Sequence, residues 1–317
     1  MPLPNFLIIG AAKSGSTALY HHLRQHPDIF MPERKEPRFW GAEGHVHDWQ
    51  GPDGGMNQSI NNMAEYLRLF DGAEGFKAIG EASPTIGSRT APQMIHHHIP
   101  DVRMIAILRQ PADRAFSSYC HMLREGLEPC TFEQGLAEEA GRRAAKWSPL
   151  FWYKEMGYYG RELAFWMEHF PREQFRIYIY DDFRENPLAV VRDAFTFLQV
   201  DPAFEPELAR VNVSGVPRSR VLYDLLRKDN LIKKLMKPLF PRKIRDRIQA
   251  SNRRHNVGPK PVLNPETRRK LTEEFREDIL LLQDLAGRDL STWLEDAGGS
   301  RTVHPHLSRA SRPDGAP

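Results

Sequence analysis

Lys13, Glu81 and Arg109 are the side chains of this 317-residue chain best suited to act together on an anionic group. Lys13 lies in the run Gly10-Ala-Ala-Lys13-Ser14-Gly15-Ser16-Thr17, which joins small residues, hydroxyls and one cation just where a helix opens. Such a run exposes backbone N–H groups to an anion, adds the positive end of a helix dipole and supplies a lysine to neutralise oxygens. It is not a Walker A loop, in which Lys directly follows the second Gly; here Lys13 precedes Gly15 by two positions. Glu81 and Arg109 each close an apolar run of their own. A cation, a carboxylate and a guanidinium converging on one crevice suit the transfer of an anionic group, with the carboxylate as base. Ser117, eight residues after Arg109 and about two turns into the next helix, is near enough to share a phosphate with it.

Strands have to carry these groups to one edge. Residues 6–9 predict a buried strand that runs through the small-residue turn into a helix over 17–26. Residues 76–81, 103–108 and 175–180 predict further strands, with residues 29–30 a short extended piece. Helices are predicted over 62–70, 91–99, 112–124, 131–147, 157–170 and 187–198, with one long helix over 265–285. This alternation predicts a three-layer α/β/α domain with a mostly parallel central sheet and a P-loop-like strand–loop–helix. Ligands of such sheets bind beyond the C-terminal strand ends, where Lys13, Glu81 and Arg109 fall. Residues 1–297 are expected to form a single domain, with 217–255 a basic helical segment. Residues 298–317, rich in Gly, Pro, Ser and Arg, are expected to be a disordered tail.

The net charge of +3 conceals an asymmetry. Lys and Arg crowd residues 217–255, opposed only by Asp224, Asp229 and Asp246. That segment suits an anionic partner, or else forms a solvated helical face. Two cysteines, Cys120 and Cys130, make neither a disulfide framework nor a metal site. His96, His97 and His98 are consecutive rather than spaced on one helix face, so no metal is expected. The sequence has no apolar run of membrane-spanning length and no basic-then-apolar start. The expectation is a cytoplasmic protein with no membrane or nucleic-acid partner.

The spacing Arg109-Gln-Pro-Ala-Asp-Arg-Ala-Phe-Ser117 resembles the 3′-phosphate-binding motif of sulfotransferases that use PAPS (3′-phosphoadenosine 5′-phosphosulfate), and residues 10–17 resemble their 5′-phosphosulfate loop. PADRAFSSYCHMLREG is similar to the sulfotransferase domain of heparan sulfate N-deacetylase/N-sulfotransferases, and the site layout resembles the 3-O-sulfotransferases. KEPRFW, GEASPT, GYYGRELAFWMEHFPREQF and LAGRDLSTW recur in the same order, so the resemblance runs from Asn5 to Trp293. It implies that Lys13 contacts the bridging oxygen and the 5′-phosphosulfate, with Ser14, Gly15, Ser16 and Thr17 cradling phosphate oxygens. It further implies that Arg109 and Ser117 bind the 3′-phosphate, and that Glu81 deprotonates an acceptor hydroxyl or amine. PAPS would be the co-substrate, PAP the product, and a carbohydrate one class of acceptor.

Plainer roles stay open: Glu81 as a helix cap or ion-pair partner, Arg114 as a brace of the fold, Tyr158 as a packing aromatic rather than a nucleotide contact. The family closes its cofactor site with a late basic loop. Residues 253–260 match that place but depart from the Golgi pattern, leaving Lys260 as the candidate. The sequence also departs from Golgi members in showing no membrane anchor, which implies a bacterial-type relative. Two other readings stand beside this one: a P-loop kinase using ATP, for which neither a Walker lysine nor a Mg²⁺-binding Asp is evident, and a non-catalytic polyanion-binding protein using the basic segment.

Overall fold

The computed structural model describes residues 2–45, 48–52, 58–208, 216–217, 257–258 and 261–295. Lys260, the side chains of the basic segment, part of the 41–55 loop and the tail over 298–317 lie outside these residues.

Five parallel strands form the central sheet: β1 (Phe6–Gly10), β2 (Ile29–Phe30), β3 (Ala78–Ala82), β4 (Arg103–Leu108) and β5 (Phe175–Ile179). Their order is β2-β3-β1-β4-β5. β1 is flanked by β3 on one side and β4 on the other, so the chain reverses its direction of travel across the sheet there. A crevice forms at such a switch point, beyond the C-terminal strand ends. Period-two alternation explains why the strands read as unbroken apolar runs. Leu7 and Ile9 of β1, with Met104, Ala106 and Leu108 of β4, pack into one core; Phe6 and Ile8, with Ile105 and Ile107, pack into the other.

Helices cover both faces. α1 (Ser16–Leu23) follows β1, and α2 (Met63–Arg68) and α3 (Ala91–His98) flank β3. α4 (Pro111–Arg124) follows β4 and leads to α5 (Phe132–Ala144) and α6 (Tyr159–Met167). α7 (Tyr180–Glu185) and α8 (Pro187–Phe197) follow β5. The chain continues through α9 (Pro265–Glu274), α10 (Arg276–Ala286) and α11 (Ser291–Leu294). Leu19, Leu23, Val191 and Phe195 of α1 and α8 fill one core; Ile95, Leu163, Trp166, Leu271 and Ile279 contribute to the opposite one. The expected three-layer architecture is what the chain adopts. A two-residue antiparallel pair, β6 (Val216–Pro217) with β7 (Val257–Gly258), stands apart from the sheet.

Several boundaries differ by a few residues, as where the helices expected over 131–147 and 157–170 run Phe132–Ala144 and Tyr159–Met167 and the strand expected over 76–81 runs Ala78–Ala82. Three of the differences have a clear local reason. The helix expected over 265–285 divides at Phe275, whose ψ of −3° interrupts the helix and whose buried ring fills the space beside Gly157 and Tyr158. The strand expected through residue 180 ends at Ile179, and Tyr180 opens α7 instead. The first helix stops at Leu23, three residues early, and the His26 ring accepts the Asp28 N–H at 3.0 Å in the turn that follows.

The C-terminal helices are tied to the start of α4. Gln110 caps α4 by accepting the Asp113 N–H, while its amide donates to Thr272 and to the Trp293 carbonyl. α6 and α10 approach so closely that a Cβ on Gly160 would lie 2.4 Å from the Asp278 carbonyl oxygen. The Asp278 carboxylate accepts the Gly160 and Arg161 N–H groups that open α6. No helix among the described residues is long and apolar enough to cross a membrane.

Candidate active site

The loop between β1 and α1 keeps its donors open. Gly15 caps α1 at φ 103°, and a Cβ there would meet the Tyr180 ring at 3.2 Å, so both the backbone and the space demand glycine. Ser14 N–H donates back to the Ala11 carbonyl, and Ala18 and Leu19 N–H donate to the Gly15 carbonyl. The N–H groups of Gly15, Ser16 and Thr17 find no backbone acceptor among the described residues. They are the orphan donors that every helix start leaves, here just beyond the C-terminal end of β1. Lys13 sits in the same turn at φ 69°. Burial, then the neighbouring Arg124, lowers its pKa to about 8, with Glu36 and Glu125 pulling it back up.

Arg109 follows the end of β4, and its guanidinium stacks over the Tyr180 ring at 4.9 Å from the centroid. Tyr180 therefore forms one wall that touches Gly15 on one side and Arg109 on the other. The sequence offered one signal for it, an aromatic at the end of an apolar strand, and the strand reading absorbed it. Ser117 lies half-buried two turns into α4.

Glu81 stands in β3 with 1% of its surface exposed. Ser83 Oγ donates to its Oε2 at 2.8 Å. Burial raises the carboxyl to about 8, against smaller opposing effects of Ser83 and Lys35. The segment with Lys35, Glu36 and Arg38 is stitched to this strand end: Glu36 N–H donates to the Ala82 carbonyl, and Arg38 N–H donates to Ser83 Oγ at 3.0 Å. Glu36 and Arg38 take φ values of 58° and 55°. The Glu36 carboxylate accepts from Lys35 and from Arg38, the latter at 2.9 Å. Burial pushes Glu36 up, but the two cations outweigh it and hold the carboxyl below its ordinary value. The Glu36 side chain keeps 31% of its surface exposed. Its place beside Glu81 was missed because KEPRFW is distant from Glu81 in sequence.

Tyr158 is turned to the C-terminal helices, its hydroxyl donating to Glu274 at 3.3 Å, its ring against Phe275 and under the Arg161 guanidinium. Its neighbour Tyr159, fully buried, has its hydroxyl beside Ser14.

The raised Glu81 carboxyl has a stability consequence. Between its ordinary pKa of 4.5 and the folded value of about 8, the folded state binds a proton that the unfolded chain has released, so stability falls as pH rises through that window. Glu81→Gln, neutral throughout, is expected to melt above wild type at pH 8.5, with the gap closing at pH 4.5. Parallel melting curves across this range would sink the assignment of Glu81 as neutral at pH 7.

Comparison with known proteins places this arrangement. A family model described as "Sulfotransferase family" matches residues 4–206. The chain is 28% identical over 221 residues to the bifunctional heparan sulfate N-deacetylase/N-sulfotransferase of Drosophila melanogaster, covering 64% of this chain and 20% of that protein. It is 31% identical over 175 residues to the human heparan sulfate glucosamine 3-O-sulfotransferase 3B1, covering 54% of this chain and 40% of that protein. The chain thus spans less than half the length of the curated relatives it matches. Among solved structures, a sulfotransferase from Alicyclobacillus acidocaldarius superposes with a TM-score of 0.75 at 31% identity, covering 93% of this chain and all of that one.

Proposed function

Because the chain belongs to the sulfotransferase family, we propose that it moves a sulfuryl group from PAPS to a hydroxyl or amine of an acceptor, releasing PAP. The observation that carries this is the junction of the Lys13 loop and Arg109 across the Tyr180 ring. Two anion-binding features stand there on adjacent strand ends, as a nucleotide with both a 5′-phosphosulfate and a 3′-phosphate requires. A carbohydrate is the acceptor class in which two of the relatives' names agree, since both name heparan sulfate.

In this reading Gly15, Ser16 and Thr17 hold the 5′-phosphosulfate oxygens through their free N–H groups, with the Ser14 side chain supporting the loop from below. Arg109 and Ser117 hold the 3′-phosphate, Arg as a planar multi-donor fork. The acceptor oxygen or nitrogen attacks sulfur, and the bond from sulfur to the bridging oxygen breaks with its electron pair leaving on the phosphate. Lys13 stabilises that developing charge. Tyr158 and Lys260 are secondary candidates for contacts at the edge of the nucleotide.

The acceptor's proton goes to a carboxylate, and two stand in place. Glu36 is the one favoured by exposure and charge: it is held ionised by Lys35 and Arg38 and lies within electrostatic reach of Lys13. Glu81 is the second reading, since a carboxyl with a pKa near 8 suits a base at weakly alkaline pH; its burial argues for a supporting place behind Ser83.

Calorimetric titration with PAP, 5′-AMP and ATP at matched Mg²⁺ and salt tests the proposal. PAP should bind far more tightly than 5′-AMP, and Arg109→Ala should weaken PAP by about 10- to 100-fold, the worth of hydrogen bonds to a charged group, while leaving 5′-AMP little changed. Preference for ATP would favour the kinase reading. Salt-sensitive binding of polyanions with no response to PAP would favour a polyanion-binding protein.

A further inference from the structure

We propose that Arg114 is a positioning residue of the phosphate loop, a buried cation that acts through Tyr159 and Ser14 to prepare the site for an anion before one arrives. The proposal rests on the reading that a nucleotide anion binds at the Lys13 loop.

Arg114 lies on α4 with 1% of its surface exposed. Its Nη2 donates to the Tyr153 carbonyl, and its Nε has no partner. No carboxylate among the described residues stands within ion-pair distance of it. Glu139, the acidic group within electrostatic reach, uses its two oxygens to accept the Lys154 and Glu155 N–H groups at 2.7 and 2.8 Å. The fold treats another buried arginine quite differently. Arg142, 4% exposed, is clamped by Glu128 and Glu138. Arg142 is held by carboxylates at ion-pair distance, and Arg114 is not.

Two buried hydroxyls lie beside it. Ser14 and Tyr159 turn their hydroxyls toward one another, loosely held, with the Arg109 backbone also beside Tyr159 and both Arg114 and Arg109 within electrostatic reach. A buried guanidinium with no carboxylate at ion-pair distance and buried hydroxyls held only loosely are all unfavourable. They occur together at the turn whose Gly15, Ser16 and Thr17 N–H groups have no backbone acceptor among the described residues. An anion on that turn is the missing counterpart: its charge offsets Arg114 through a medium that screens poorly, and it orders the Ser14 and Tyr159 hydroxyls beneath it. Arg114 also faces Lys13 together with Arg124, Glu36 and Glu125, so it helps set the pH at which the lysine charges.

The test uses the full chain carrying Arg114→Met, Arg114→Lys or Tyr159→Phe. Arg114→Met is expected to weaken PAP by roughly tenfold or more, the loss of an interaction with a charged group. Its melting temperature without ligand should equal or exceed that of wild type, because relief from burying a charge with no carboxylate at ion-pair distance offsets the lost hydrogen bond to the Tyr153 carbonyl. The pH above which PAP affinity falls should move upward, since a cation facing Lys13 is gone. Arg114→Lys should recover part of the affinity. Tyr159→Phe, which keeps the ring packing, should weaken PAP less than Arg114→Met does. A lower ligand-free melting temperature with PAP affinity within twofold of wild type makes Arg114 a brace and overturns the proposal. If Arg114→Met does not fold, unchanged PAP affinity in Tyr159→Phe overturns it instead. Wild-type protein that binds no PAP removes the proposed function itself, an outcome separate from either of these.

Discussion

Lys13→Ala is expected to lower kcat by about 10²- to 10³-fold, the usual cost of losing one preorganised group aimed at developing charge. Before transfer the bridging oxygen shares its electrons with sulfur; as that bond breaks, negative charge gathers on the phosphate. An interaction that strengthens along this path lowers the barrier more than it tightens ground-state binding. PAP, which already carries the product charge, should bind the variant less tightly, while KM for PAPS changes less than kcat does. Lys13→Arg should not restore the rate, because the wider guanidinium has to emerge from a turn at φ 69° between the neighbouring Arg124 and Arg114. The measurement is initial velocity with labelled PAPS and an acceptor that the wild-type protein sulfates. Turnover by Lys13→Ala within fivefold of wild type would remove the lysine from the transfer step.

The second large effect separates the two carboxylates. Glu36→Gln is expected to lower kcat by about 10²- to 10⁴-fold, the range for loss of a general base, with PAP affinity nearly unchanged. Glu81→Gln should keep a substantial part of the activity at pH 7, because glutamine preserves an acceptor for Ser83 and replaces a carboxyl that is already neutral. The pH profiles carry the sharper distinction. With Glu36 as base, its lowered pKa keeps it ionised and activity should be flat on the acidic side down to the ordinary carboxylate range. With Glu81 as base, activity should rise up to about pH 8 as the carboxyl deprotonates. A dead Glu81→Gln beside an active Glu36→Gln would assign the base to Glu81.

These two experiments turn on residues that differ in how legible they are. The Lys13 loop and the motif from Arg109 to Ser117 are continuous in sequence, and their residue types carry their chemistry with them. Apolar runs ending in those groups were enough to place them at the C-terminal edge of a parallel sheet, because both faces of such a sheet are buried and its strands stay apolar throughout. Tyr180 was not legible, because a strand end and a helix start look alike when both are aromatic and apolar.

What the sequence settled, then, is local: a strand, a glycine turn with one lysine, and an arginine and a serine at nucleotide-like spacing. Tertiary structure alone decided which carboxylate is charged and which buried cation is unpaired. Glu36 and Glu81 are the same side chain 45 residues apart. One is held ionised by Lys35 and Arg38, while the other is pushed toward neutrality at the end of a buried strand. Arg114 and Arg142 differ likewise in whether a carboxylate is folded to ion-pair distance from them. A side chain's ionisation depends on the dielectric and the charges around it, and those come from segments that meet only when the chain has folded.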